Sequence, residues 1–198
     1  MITQKEFEER VNKFEELEDA RSQIYDMAMN LIKNGFELEA YLLILSTWNF
    51  AGFRYVLTSF DMNKFRRTIS EINPIFEKLK NEKFETADFD KLKGDISFIY
   101  NKLNELVKQT GATKIMYFKN PNLFVMWDIN IRKMWNIPQT HTTAEDYINF
   151  LKLMKQNFGH IKWENKETSL ARAIDAYNFV VTQEIIRNKR KNKTDARN

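Results

Sequence analysis

The sequence predicts an all-α protein, a compact bundle of about eight to ten helices. Three observations predict it. Apolar residues recur at spacings of three and four in segment after segment. No segment shows a sustained two-residue alternation joined by turn pairs, so no sheet is expected. The five glycines are scattered singly, and several of the periodic segments stop at one of them or at proline. The 198 residues read as one helical domain over 1–186 followed by a basic tail over 187–198.

The elements follow in order. Phe7, Val11, Phe14, Leu17, Ile24, Ala28 and Leu31 mark a long amphipathic helix over 3–34 with a break expected near Asp19–Ser22, stopped by Asn34-Gly35. A second helix runs from Phe36 to about Phe50. It is apolar almost all round, the mark of a buried central helix, and Gly52 is expected to end it. Asp61 caps the next, with Phe65, Ile69 and Ile72 on one face, and Asn73-Pro74 is expected to end it and start another. Asp88 or Asp90 caps a helix to about Gln109, carrying Leu92, Ile96, Ile99, Leu103 and Leu106, with a break at Thr110-Gly111. A short helix after Gly111 is followed by a proline-broken loop and a helix capped by Asp128. Beyond Ile137-Pro138, Thr143 with Glu145 and Asp146 starts a helix that Gly159 stops. The last begins near Glu167–Ser169 and runs through Leu170, Ile174, Tyr177, Val181 and Ile185 into the tail.

Composition removes several classes of function. There is no cysteine, and His141 and His160 are the two histidines, so disulfides, thiolate metals and a histidine-based metal site are not expected. No run of roughly 18 apolar residues and no signal-type apolar segment appears, so the expectation is a cytoplasmic protein without a membrane span. Phosphate-loop, serine-hydrolase and calcium-loop patterns are missing too, and no cofactor is expected. Net charge is +4, unevenly spread: residues 1–20 hold seven acids against three bases, and residues 187–198 six bases against one acid. The acidic N-terminal helix is a candidate outer helix or homodimer arm. The tail, with Lys189, Arg190 and Lys191, is either a solvated terminus or a contact for polyanions.

The stretch Gly111 to Trp135 holds the one plausible reaction centre. Lys114 is expected in the first turn of its helix, where the dipole opposes a cation. It is either an amine nucleophile or an exposed helical lysine. Asp128 is either an assisting carboxylate or a structural cap. Phe124, Trp127, Trp48 and Asn49 are either core packing or the walls of a pocket, with Arg132 one turn beyond Asp128.

Gly-x-Thr-Lys opening a helix, then a loop, then aspartate at the next N-cap with arginine four residues on, resembles the helix-hairpin-helix DNA glycosylase superfamily. The nearest likeness is to its 8-oxoguanine branch, over residues 95–136. The resemblance implies Lys114 as the nucleophile toward the sugar C1′ and Asp128 as the carboxylate that steadies the cationic state. It also implies a base pocket around Trp48, Asn49, Phe124, Trp127 and Arg132, and DNA as partner, met by Gly111 and Thr113 with the tail. Where that family carries two hairpin glycines, this chain has Gly111 alone. Its lysine-to-aspartate loop is shorter, and Asn130 stands at a histidine-like position. The implied activity is base excision with strand cleavage. The alternatives are a non-catalytic nucleic-acid-binding relative and a helical interaction module.

Overall fold

The computed structural model describes residues 2–17, 20–139, 142–165 and 168–195. They form α1 (Gln4–Glu15), α2 (Ala20–Lys33), α3 (Glu37–Thr47), α4 (Phe50–Leu57), α5 (Met62–Leu79), α6 (Lys93–Lys119), α7 (Ile129–Met134), α8 (Ala144–Phe158) and α9 (Leu170–Asp195). No strand occurs among the described residues, and no helix among them is long and apolar enough to cross a membrane. Asp19, His141 and Glu167 lie outside them.

Helix ends obey local chemistry where the capping residue is free to act. Asp61 Oδ1 accepts from the amides of Asn63 and Lys64 at 2.8 and 3.0 Å. Thr143 and Asp146 close a reciprocal capping box on α8. Gly35, at φ +83°, ends α2: its amide bonds the Ile32 carbonyl and that of Phe36 bonds Leu31. This is the left-handed stop that glycine adopts without strain. Asn136, at φ 55°, ends α7 in the same way.

Five boundaries differ from the sequence expectation. The 3–34 helix breaks after Glu15, slightly earlier than expected. The apolar helix from Phe36 stops at Thr47, and α4 then passes straight through Gly52. A Cβ on Gly52 would stand 2.8 Å from Asn49 Oδ1, so this glycine makes room for Asn49 rather than ending a helix. Pro74 lies inside α5. A proline there costs about 3 kcal/mol, but Ile69 and Ile72 before it and Phe76 and Leu79 after it are all buried, which holds the two sides in line. α6 begins at Lys93 rather than at Asp88 or Asp90, and Asp88 instead ties the preceding turn by accepting from the amides of Asp90 and Lys91. The break expected at Thr110-Gly111 sits at Lys108, whose φ of 60° and ψ of 173° interrupt α6 and turn it.

The second half of α6 is the centre of the molecule. Every residue from Gly111 to Phe118 is buried, Thr113 and Lys114 included. This segment, rather than α3, is the helix surrounded on all sides. α3, α4, α5 and α8 pack on α6. Gly111 is what lets α3 approach: a Cβ there would lie 2.9 Å from Val107 Cβ and 3.0 Å from Leu45 Cδ2.

The N-terminal helix is absorbed by the same chain. α1 packs along α9, with Phe7 and Val11 buried. Phe7 stacks on Tyr177 at 5.8 Å, Tyr177 donates to Glu6 at 3.1 Å, and Lys13 pairs with Glu184 at 2.6 Å. Phe7 and Val11, the buried apolar residues of α1, are thus covered within the same chain.

Gly111→Ala is expected to lower stability by about 1–3 kcal/mol through overpacking between α3 and α6, although alanine is the better helix former. Urea unfolding of the two proteins measures this, and an unchanged or raised midpoint would contradict the close approach.

Candidate active site

A cavity of about 330 Å³ opens where α2, α3, α6, α7 and α9 meet. Its lining includes Lys114, Asp128, Trp48 and Trp127 from the expected set, together with Arg172 and Asp175 from α9. Lys114 and Asp128, fourteen positions apart, thus share one cavity.

Lys114 reaches it from inside the protein. Only 8% of the residue is exposed, so it is not the solvated helical lysine of the bland alternative. With the turn at Lys108, it lies in the second turn of its half-helix, one turn deeper than expected and beyond the strongest reach of the helix dipole. Its Nζ donates to the Trp48 carbonyl and lies 5.9 Å from the Trp48 ring. That carbonyl is at the α3–α4 break, so the same interruption that positions Trp48 supplies the acceptor for the amine.

Asp128 caps α7. Its Oδ1 accepts from the amides of Asn130 and Ile131, each at 2.8 Å. Both cap bonds use one oxygen, which leaves Oδ2 outside the cap. The loop before it is tied down at Trp127: Thr113 Oγ1 donates to the Trp127 carbonyl at 3.4 Å, and Trp127 Nε1 donates to the Gln109 carbonyl at 3.3 Å. The cavity wall at Trp127 is backed by Tyr147 and Phe150, at 5.1 and 5.5 Å between ring centres.

The other expected residues are placed as follows. Phe124 is fully buried against Phe76 and does not line the cavity. Asn49 is buried beside Gly52 and does not line the cavity. Arg132 is 3% exposed, lies 5.2 Å over the Trp127 ring and donates to the Gln139 carbonyl at 3.3 Å. Burial lowers its pKa from the usual guanidinium value, against the opposing influence of Tyr100 and Asp128. It supports the wall from behind. Gly111 and Thr113 are buried and offer no surface to a phosphate.

Of the basic tail, Lys189 lines a second groove of about 310 Å³ with Asn130 and Lys133, beside the helix that Asp128 caps. Arg190 and Lys191 continue α9 as exposed positions outside both cavities.

Arg172 and Asp175 escaped the sequence reading, which followed the apolar line of α9. The Arg172 guanidinium lies 4.4 Å over Tyr25 and 5.1 Å over Phe14. Asp175 is 5% exposed, and its Oδ1 accepts from the Met126 amide at 2.8 Å. Burial pushes its carboxyl well above the usual carboxylate range. Arg172, the Met126 amide and Lys114 pull the other way without overcoming this. The signal that could have found it is a polar line at spacings of three and four: Asp175, Asn178 and Thr182 are all buried.

Two outcomes follow from this geometry. Asp128→Ala is expected to cost about 1 kcal/mol by loss of the cap, whereas Asp128→Asn, an equally good cap, leaves stability nearly unchanged. Chemical denaturation of both variants tests the pair, and equal losses would contradict the cap geometry. For Asp175, the folded-state pKa lies above the unfolded one. Its contribution to stability is therefore full below ~3.9 and is lost as pH rises through the raised value. Asp175→Asn should match the parent in acid and unfold at a higher temperature near neutral pH. A lower midpoint near neutral pH would show that the ionised carboxyl is stabilised by its surroundings.

Comparison with known proteins finds no matching family model, no matching curated protein and no matching solved structure.

Proposed function

We propose that the protein is a DNA base-excision enzyme, a glycosylase with strand-cleaving lyase activity, in which Lys114 is the nucleophile and Asp128 the assisting carboxylate. The observation that carries this reading is the shared cavity: a buried lysine amine and a helix-capping aspartate line one aromatic-walled space. A base taken out of the duplex stack is a flat ring that needs such walls, and the half-buried Phe14, Trp48 and Phe179 line the cavity.

The chemistry assigns each group one task. The Lys114 ammonium first gives up a proton to a base in the cavity. The neutral amine keeps one N–H on the Trp48 carbonyl, which orients its lone pair toward the sugar. As the bond from C1′ to the base nitrogen lengthens, positive charge grows on the sugar and the Asp128 carboxylate stabilises it. The amine then bonds C1′, and the base departs with the electron pair and takes up a proton. The nitrogen lone pair then forms a C=N bond as the C1′–O4′ bond breaks and O4′ takes up a proton, and borohydride reduces the resulting iminium to a stable amine. Lys133 and Lys189, on the groove next to α7, give a phosphate backbone a cationic rim.

The test is covalent trapping. Duplex DNA with a single abasic site is incubated with the protein and borohydride. The expected result is a protein–DNA adduct that disappears in Lys114→Gln and forms at least about tenfold more slowly in Asp128→Asn, which retains the cap. Circular dichroism of each variant confirms that it is folded. Retarded DNA with no adduct would favour the non-catalytic binding relative, and an adduct that survives Lys114→Gln would remove the proposed role of Lys114.

A further inference from the structure

Arg172 differs from the other arginines that lie over aromatic rings. Its guanidinium carbon is 4.4 Å from the Tyr25 ring centre, 5.1 Å from that of Phe14 and 5.9 Å from that of Trp48. Arg10 lies over Tyr177, and there Glu6 and Glu184 answer its charge. Arg132 lies over Trp127, donates to the Gln139 carbonyl and has Nε and Nη1 closed to solvent. The Arg172 guanidinium has neither a hydrogen-bond acceptor nor an ion-pair partner among the described residues. None of its nitrogens is sealed from solvent. Half-buried, it lines the cavity with Phe14 and Trp48, two of the rings that hold it.

The rings fix the guanidinium and leave its edge donors unspent. A guanidinium presents its N–H groups in one planar fork, which matches two oxygens of a phosphate or carboxylate. The acids of the cavity do not fill it. Asp128 Oδ1 is occupied by the cap of α7 and Asp175 Oδ1 by the Met126 amide. Lys114 brings a second positive charge to the same lining. An amine ligand would add a third. A neutral flat ring would meet the aromatic walls and leave the guanidinium unanswered. A bare inorganic anion would answer the guanidinium and leave the walls uncovered. A phosphate ester joined to a flat ring through a sugar answers both.

We propose that Arg172 is the phosphate-binding residue of this cavity: its guanidinium donates to two oxygens of a nucleotide phosphate while the rest of that nucleotide meets the aromatic walls. The proposal rests on the nucleotide-receiving role given to the cavity above, but it does not require Lys114 to react. Where Lys114 does react, Arg172 fixes the phosphate and so sets the position of the sugar before the amine. The phosphate belongs either to a DNA strand or to a free mononucleotide, and the two arms of the test separate these sources.

The first arm titrates the intact protein by calorimetry with deoxyadenosine 5′-monophosphate and with deoxyadenosine, which differ in the phosphate alone. The parent is expected to bind the monophosphate tighter by about tenfold or more, the value of a charged hydrogen bond. Arg172→Met keeps an unbranched chain against the rings and removes the charge, and the preference should fall there to about twofold or less. Arg172→Lys keeps a point charge without the fork and should fall between the two. The second arm repeats the borohydride trap over a range of abasic-site duplex concentrations. Arg172→Met should raise the half-saturating concentration by about tenfold or more and lower the maximal rate by less. Circular dichroism checks that each variant is folded, and Arg172→Lys carries both arms if Arg172→Met is not. An Arg172 effect in the second arm alone assigns the phosphate to a DNA strand, and one in the first arm assigns it to a free nucleotide as well. Unchanged values in both arms, or equal weakening of the monophosphate and the nucleoside, would overturn the proposal. Failure of the trap in the parent, with a monophosphate preference that Arg172→Met removes, would end the excision chemistry and leave the phosphate site standing. An adduct formed by the parent and by Arg172→Met at the same half-saturating concentration, with no phosphate preference in the first arm, would do the reverse.

Discussion

The structure depends on burying one short helix on all sides. Residues 111–118 run through the middle of the bundle, and each is shielded from solvent. Helices α3, α4, α5 and α8 gather around α6, and the approach of α3 requires a residue without a Cβ at Gly111. Lys114 lies on this central helix, so its amine meets the cavity rather than standing out in bulk water as a surface lysine would. It is drawn to the Trp48 carbonyl, which the α3–α4 break leaves beside it. One packing constraint therefore produces a buried cation, its acceptor and the cavity around them.

A buried charge at this depth is costly unless other groups answer it. For Lys114 the answer is the Trp48 carbonyl. α9, at the far end of the sequence, brings Arg172 and Asp175 to the same wall, and the Asp175 carboxyl is fixed through the Met126 amide. α9 is also the surface on which α1 lies and against which α7 packs. It thus fastens the N-terminal helix, the helix that Asp128 caps and the acid wall of the cavity in one element. The arrangement joins stability to function, because a change in α9 moves both.

Much of the fold was legible because its signals are local. The caps at Asp61, Asp128 and Thr143 and the stop at Gly35 act within a few residues, and each is found where the chain announces it. Boundaries failed where distant packing outvoted local preference. Pro74 stays helical because buried residues on both sides align the chain. Gly52 serves the Asn49 side chain rather than a helix end. The sequence points to α3 as the central helix because Gly111, Thr113 and Lys114 make the most buried turn of α6 look polar.

For the candidate site, residue types and spacing by themselves determined that Lys114 and Asp128 belong to helices joined by a short proline-broken loop, and that aromatic residues flank them. Those are properties of chain length and capping. Only the tertiary structure decided that both line one cavity, that Phe124 and Arg132 stand behind its wall, and that Thr113 is buried in the core rather than turned toward a partner. It alone brought Arg172 and Asp175 to the site across dozens of intervening residues. The physical reason is range: a cap or a turn is settled within one helical turn, whereas burial of a charge depends on which distant helix closes over it.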